Sequence, residues 1–194
     1  LINGVFTRIG FGLVDSSTVL AAFVKELTGS NVMVGLTSST MRAGWMWPQL
    51  LVSNLLEHRP RKMPFYIFGI TTRAISWIFI LALTLSIGNG NYLLLFICFY
   101  SLYFAASSAL GVSTLPYNDI VAKSIPVHRR SRLFSLRQLI GGFFGIGVGV
   151  LVRHILSKGF FLSFPDNYAV IFGLATLMMI GGSVVFILVK EPIH

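Results

Sequence analysis

Three ionisable residues stand where charge is least expected. Asp15, Arg42 and Arg73 each lie well inside a long apolar run. A charged side chain at the centre of a membrane-crossing helix costs about 2.5–3.5 kcal/mol by insertion scales, so such residues face a protein interior or a wet cavity. The chemistry open to them is mutual pairing, proton exchange or binding of a charged solute. Arg42 and Arg73 fit an anionic or polar solute; balancing Asp15 is the structural alternative. Arg73 stands nine residues past Pro64, about 13 Å at the helical rise, within partial reach of the surface. Arg8 is closer still to its run's end and can snorkel.

The polar residues around these charges fall on stripes. Gly35, Ser38, Arg42, Trp45, Gln49 and Ser53 recur at spacings of three and four, one face of a helix. Trp45 and Trp47 lie too deep for an interfacial belt, and Pro48 beside them is a candidate kink. A stripe that mixes a charge with hydroxyls and an indole points to a water-filled pathway. Interhelical hydrogen bonding by Ser and Gln is the alternative. Ser107, Gly111, Thr114 and Asn118, with Tyr103 one turn earlier, form a second such face, for lining or for packing. The expected pathway set is therefore Asp15, Ser38, Arg42, Trp45, Gln49, Arg73, Ser107, Thr114 and Asn118. Asp15 lies ten residues before Lys25 and Arg42 ten after Val32, so both sit about 15 Å below the same helix ends. Opposite charges at one depth on neighbouring helices are expected to pair.

Other chemistry is missing from the sequence. It shows no paired carboxylates, no Cys/His nucleophile set and no cluster of metal-ligand type, so the reading is a non-enzyme with no cofactor and no metal. His58, His128 and His154 lack metal-ligand spacing. The single cysteine, Cys98, lies in an apolar run and has no internal disulfide partner.

The elements that must position these residues are membrane spans. The chain has 194 residues, 55% hydrophobic and 11% charged, against about 25% charged in an ordinary soluble domain. Six runs reach the length of about 20 residues that crossing requires. They cover 4–24, 32–56, 65–87, 92–121, 134–156 and 168–189, with Pro116 a candidate kink in the fourth. The expected fold is an all-α membrane protein, one six-helix bundle over residues 1–194. No signal-peptide pattern precedes the first run, and the chain opens at Leu1 in residues that already read as helix, as a piece of a longer protein would.

Charge alternates between the loops. Arg59, Arg61, Lys62, Lys123, Arg129, Arg130, Arg132, Arg137 and Lys190 fall on one side, and Lys25, Arg153 and Lys158 on the other. The cation-rich side is cytoplasmic by the positive-inside rule, which places both ends of the chain there. The same bias accounts for the net charge of +9 without nucleic acid. The expected setting is an integral membrane protein of a bacterial-type inner (plasma) membrane.

The stretch Ser53-Asn54-Leu55-Leu56-Glu57-His58-Arg59-Pro60-Arg61-Lys62 lies between the second and third runs. It resembles the signature loop of the major facilitator superfamily, roughly Gly-x-Leu-Ala-Asp-Arg-x-Gly-Arg-Lys/Arg. Leu55, Glu57, Arg61 and Lys62 are in register. Ser53 stands for the first Gly, Glu57 for the Asp, His58 for the Arg and Pro60 for the second Gly. Ile125–Arg132 resembles the family's loop between helices four and five, with Ser131 in place of Gly. Lys190-Glu191-Pro192 resembles the Glu-Pro that closes its sixth helix. The resemblance implies the N-terminal six-helix half of a twelve-helix transporter, built of two three-helix inverted repeats. It implies secondary active transport of a small solute by alternating access, with a proton or sodium as candidate coupling ion. Its partners would be lipid and the C-terminal six-helix half.

The resemblance also implies a gating role for Glu57, Arg61, Lys62, Asp119, Arg130 and Arg132. The expected pairs are Glu57 with Arg130 or Arg132, and Arg61 with Asp119. Gly141, Gly145 and Gly149 form a small-residue stripe in the fifth run, expected to pack against another helix. A similar Gly-x-x-x-Gly in some antiporters of the superfamily is followed by Pro; Ile146 stands there instead, which leaves antiport unsupported. The alternative function is a non-transporting receptor or assembly subunit on the same fold, because a fold hosts more than one function.

Overall fold

The computed structural model describes residues 1–57, 59–88, 90–157 and 159–189. His58, Lys158 and Lys190-Glu191-Pro192, used above for loop charge and for the resemblance, lie outside them. The described residues form seven α-helices and no strand. These are α1 (Ile2–Leu13), α2 (Val19–Thr28), α3 (Asn31–Glu57), α4 (Met63–Ile87), α5 (Tyr92–Ser124), α6 (Val127–Ile155) and α7 (Asp166–Ile187). Four of them, α4 to α7, are long and apolar enough to cross a membrane, so the chain is an all-α protein of membrane type.

The expected first span is two helices. The run 4–24 is apolar enough to read as continuous, but Asp15-Ser16-Ser17-Thr18 offers its own hydrogen bonds. Asp15 Oδ1 accepts from the Ser17 amide at 3.0 Å, the Ser17 hydroxyl at 2.6 Å and the Thr18 hydroxyl at 2.9 Å. Such local bonding competes with the helix ladder, which stops at Leu13 and restarts at Val19. At 12 and 10 residues, α1 and α2 are each too short to cross alone. The second expected span is α3, 27 residues long and continuous through Pro48, without a stretch as apolar as those in the four helices above. The sixth corresponds to α7. The fourth and fifth run longer than expected, to Ser124 and from Val127.

Turn chemistry sets the joints. Gly29 ends α2 with φ 69°, a left-handed conformation open to Gly, and its amide caps Lys25 O at 2.8 Å. Lys25 Nζ then ties Gly29 O and Asn31 Oδ1 at 2.8 and 2.7 Å. Asn91 caps α5 by accepting from the Leu94 amide at 3.0 Å.

Helix α4 packs on α5 and α7, α5 on α3, and α1 on α7 and α6; α2 touches α3 and α5. Close approach is bought with small residues. A side chain at Gly69 would stand 2.7 Å from Ala109 O, and one at Gly111 would strike Trp45 O. Two apolar clusters hold the bundle at its ends. The larger centres on Phe23, whose ring lies 5.1–5.2 Å from those of Phe99, Tyr168 and Phe172. The smaller joins Tyr66, Ile70, Ile120, Val121 and Phe186.

The glycine stripe of α6 does not pack as expected. Gly141 meets Arg8, but Gly145 and Gly149 have open space beside them. The buried stripe of α6 runs Gly141, Val148, Ile155, at intervals of seven. At about 100° per residue, Gly145 and Gly149 turn progressively off that line, by about 40° and 80°.

Candidate functional site

Between the two clusters lies a cavity of about 250 Å³. Four helices supply its walls. Asn3, Thr7 and Phe11 come from α1 at intervals of four, one helical face. Tyr66, Ile70 and Arg73 follow the same rule on α4. From α5 come Leu110, Ser113, Thr114, Tyr117 and Asn118, and from α6 Phe134 and Arg137.

Arg73 is the centre of this arrangement. Its side chain is 6% exposed, and its guanidinium carbon stands 5.6 Å from the Phe11 ring centroid. It forms no hydrogen bond or ion pair among the described residues. It also borders a second, smaller space of about 20 Å³ with Tyr103 and Ser107. The Tyr103 hydroxyl there is buried without a hydrogen-bond partner among the described residues. Arg137 is held differently. Its Nη1 donates to Tyr117 Oη at 2.5 Å, and the guanidinium lies 5.5 Å from the same ring. Arg73 and Arg137 each stand ten residues into their helices, about 15 Å deep at the helical rise. Among the described residues no Asp or Glu lines the cavity.

The chain matches no family model, no curated protein and no solved structure. The site therefore rests on its own geometry.

Of the expected pathway set, Arg73, Thr114 and Asn118 line the main cavity and Ser107 the small one. The α3 stripe stays outside it. Arg42 is exposed and Ser38 and Gln49 are half-buried. Trp45 links the stripe to the cavity wall, its Nε1 donating to Thr114 Oγ1 at 3.1 Å. Asp15 is not a cavity residue but the polar knot between α1 and α2. It forms no ion pair with Arg42 among the described residues. Equal depth placed the two charges level, but Asp15 Oδ1 is spent on its own turn.

The loop-side pairs also differ from expectation. Asp119 Oδ2 meets Lys123 Nζ at 3.0 Å, one turn along its own helix, as an ion pair without hydrogen-bond alignment, and not Arg61. Arg130 donates to the carbonyls of Ala122 and Ile125, closing the end of α5 instead of reaching Glu57. Lys62 is buried and donates to Leu56 O, closing the end of α3. Free carbonyls at helix ends draw cations of either kind. Glu57, Arg61 and Arg132 are exposed.

Sequence reasoning missed Asn3, Thr7, Phe11, Tyr66, Tyr117, Phe134 and Arg137. The signal was present: Asn3, Thr7 and Phe11 repeat at intervals of four, as do Tyr66 and Ile70. Arg137 was counted among the loop cations, because hydropathy starts the fifth span at 134 whereas α6 starts at Val127.

Proposed function

We propose that this chain is a six-span transporter bundle, similar to the N-terminal half of a major facilitator, that binds a small solute in the Arg73 cavity and alternates its access. The observation that carries the reading is a polar cavity inside an apolar helical bundle, holding a buried arginine with no counter-charge among the described residues. Intramembrane charges of this kind mark solute pathways.

The helix contacts support the two-repeat architecture. Let the broken first span (α1 with α2) exchange with α5, α3 with α6, and α4 with α7. The α4–α5 contact then becomes α7–α1, the α3–α5 contact becomes α6–α1, and α4–α7 maps onto itself. Each of these is a packed contact, whereas the α2–α3 and α6–α7 contacts have no comparably packed counterpart. Inverted repeats produce this kind of correspondence. A first span broken at Asp15 also fits, because transporter helices are commonly discontinuous near their sites. In this reading the exposed faces of α3 and α6, with Trp45, Met46, Gly145 and Ile146, meet lipid and a second six-helix half. The cation-rich loops keep a gating role, with turnover and not affinity as their readout.

Counterflow in proteoliposomes holding the full-length protein tests the proposal. Accumulation of labelled solute from a mixed panel is expected, and its loss in Arg73→Gln. No uptake of any solute, with capture of a specific protein partner instead, would favour the receptor alternative.

A further inference from the structure

We propose that the solute is a small organic carboxylate with an apolar body, anchored by Arg73. This rests on the transporter reading above and names its substrate class.

The argument starts from charge. A guanidinium taken out of water loses its hydration, and the loss is tolerable only when an anion or hydrogen-bond acceptors replace that water. Arg73 is 6% exposed and has neither among the described residues. Arg73 lines the cavity, and Phe11 covers one side of its guanidinium at 5.6 Å. Arg137 adds a second positive charge to the same space, fixed in place by Tyr117. With no carboxylate on the wall among the described residues, the potential inside is positive and draws anions.

Geometry then narrows the anion. A planar guanidinium matches the two oxygens of a carboxylate with two parallel hydrogen bonds. A phosphate carries more oxygens and more charge, and is best met by several converging N–H groups, usually from backbone nests or helix N-termini. Among the described wall residues only Asn3 lies in the first turn of its helix, so all the other backbone amides are engaged in the ladders and a single one falls short of the converging set a phosphate needs. The remaining wall is mixed: Phe11, Ile70, Leu110 and Phe134 give it an apolar part beside the uncharged polar Asn3, Thr7, Ser113, Thr114 and Asn118. That apolar part fits a hydrocarbon or aryl body. The volume, about 250 Å³, lies below the usual range for drug-sized ligands, so the body is small.

The test is titration calorimetry on the full-length protein in nanodiscs with propanoate, benzoate, phenylacetate, benzamide, benzylamine and inorganic phosphate as probes. At least one carboxylate should bind, and benzoate at least tenfold more tightly than benzamide. Arg73→Gln should weaken carboxylate binding at least tenfold, Arg73→Lys less, and the exposed Arg153→Gln not at all. Thermal melts of each variant check folding; if Arg73→Gln fails to fold, the comparison of benzoate with benzamide on the parent protein decides. Binding of benzamide or benzylamine as tight as benzoate, preference for phosphate, or no carboxylate bound overturns the assignment. Proteoliposome uptake separates the two levels. Transport of a neutral or cationic solute with no response to carboxylates sinks the carboxylate and leaves the transporter, whereas no transport of any probe sinks both.

Discussion

Asp15 shows how a single side chain reorganises a span. Its carboxylate oxygen gathers three donors within its own turn and ends the helix that hydropathy would carry through it. Loss of that acceptor should destabilise the joint by about 1 kcal/mol, the usual net worth of a hydrogen bond. Asp15→Ala is therefore expected to lower the melting temperature of the full-length protein in detergent by a few degrees. Asp15→Asn retains an oxygen in the same place and should lie between parent and Ala; an Asn variant less stable than Ala would contradict its role as the acceptor of this turn. The break was written in the sequence as Asp-Ser-Ser-Thr, four residues that bond locally. Apolar neighbours such as Val14, Val19 and Leu20 masked it, because mean hydropathy records transfer and not competition for backbone hydrogen bonds. Arg73 was legible as an intramembrane charge; its isolation was not, since that depends on which helices bring no carboxylate near it.

At the scale of elements, small residues decide which helices touch. Gly69 admits the α5 backbone, with Ala109 O 2.7 Å from where a β-carbon would stand. Gly69→Leu should cost about 1–3 kcal/mol or more through overpacking, read as reduced folded yield and a lower melting temperature. Gly145→Leu should leave the stability of this bundle within about 0.5 kcal/mol of the parent, because it adds a side chain to open space. A Gly145 variant as unstable as the Gly69 one would show that the stripe packs within the bundle after all. Residue spacing revealed the α6 stripe but passed over Gly69. Which glycine meets a neighbour depends on the roll of α6 about its axis, and of its glycines Gly141 alone is buried. The polar stripes fared similarly. The α5 stripe reaches the cavity, whereas the α3 stripe meets it only at the Trp45–Thr114 hydrogen bond.

For the whole molecule, composition sufficed for the helical membrane class, and loop charge for an expected orientation. With Cys98 replaced by Ser, a cysteine at Ser131 should react with an impermeant maleimide only from the cytoplasmic side, and one at Gly90 only from outside; the reverse pattern would invert the topology. The cavity itself was beyond sequence reasoning, because it is assembled from four helices whose contacts are distant in the chain. Alternating access makes a sharper demand on it. Ser113 is 3% exposed and lines the cavity wall. In the same Cys98→Ser background, Ser113→Cys can be exposed to an impermeant methanethiosulfonate from each side of oriented membrane vesicles in turn. The account predicts modification from both sides, with each slowed by saturating solute. Modification from one side only, or from neither, would contradict a central site with alternating access.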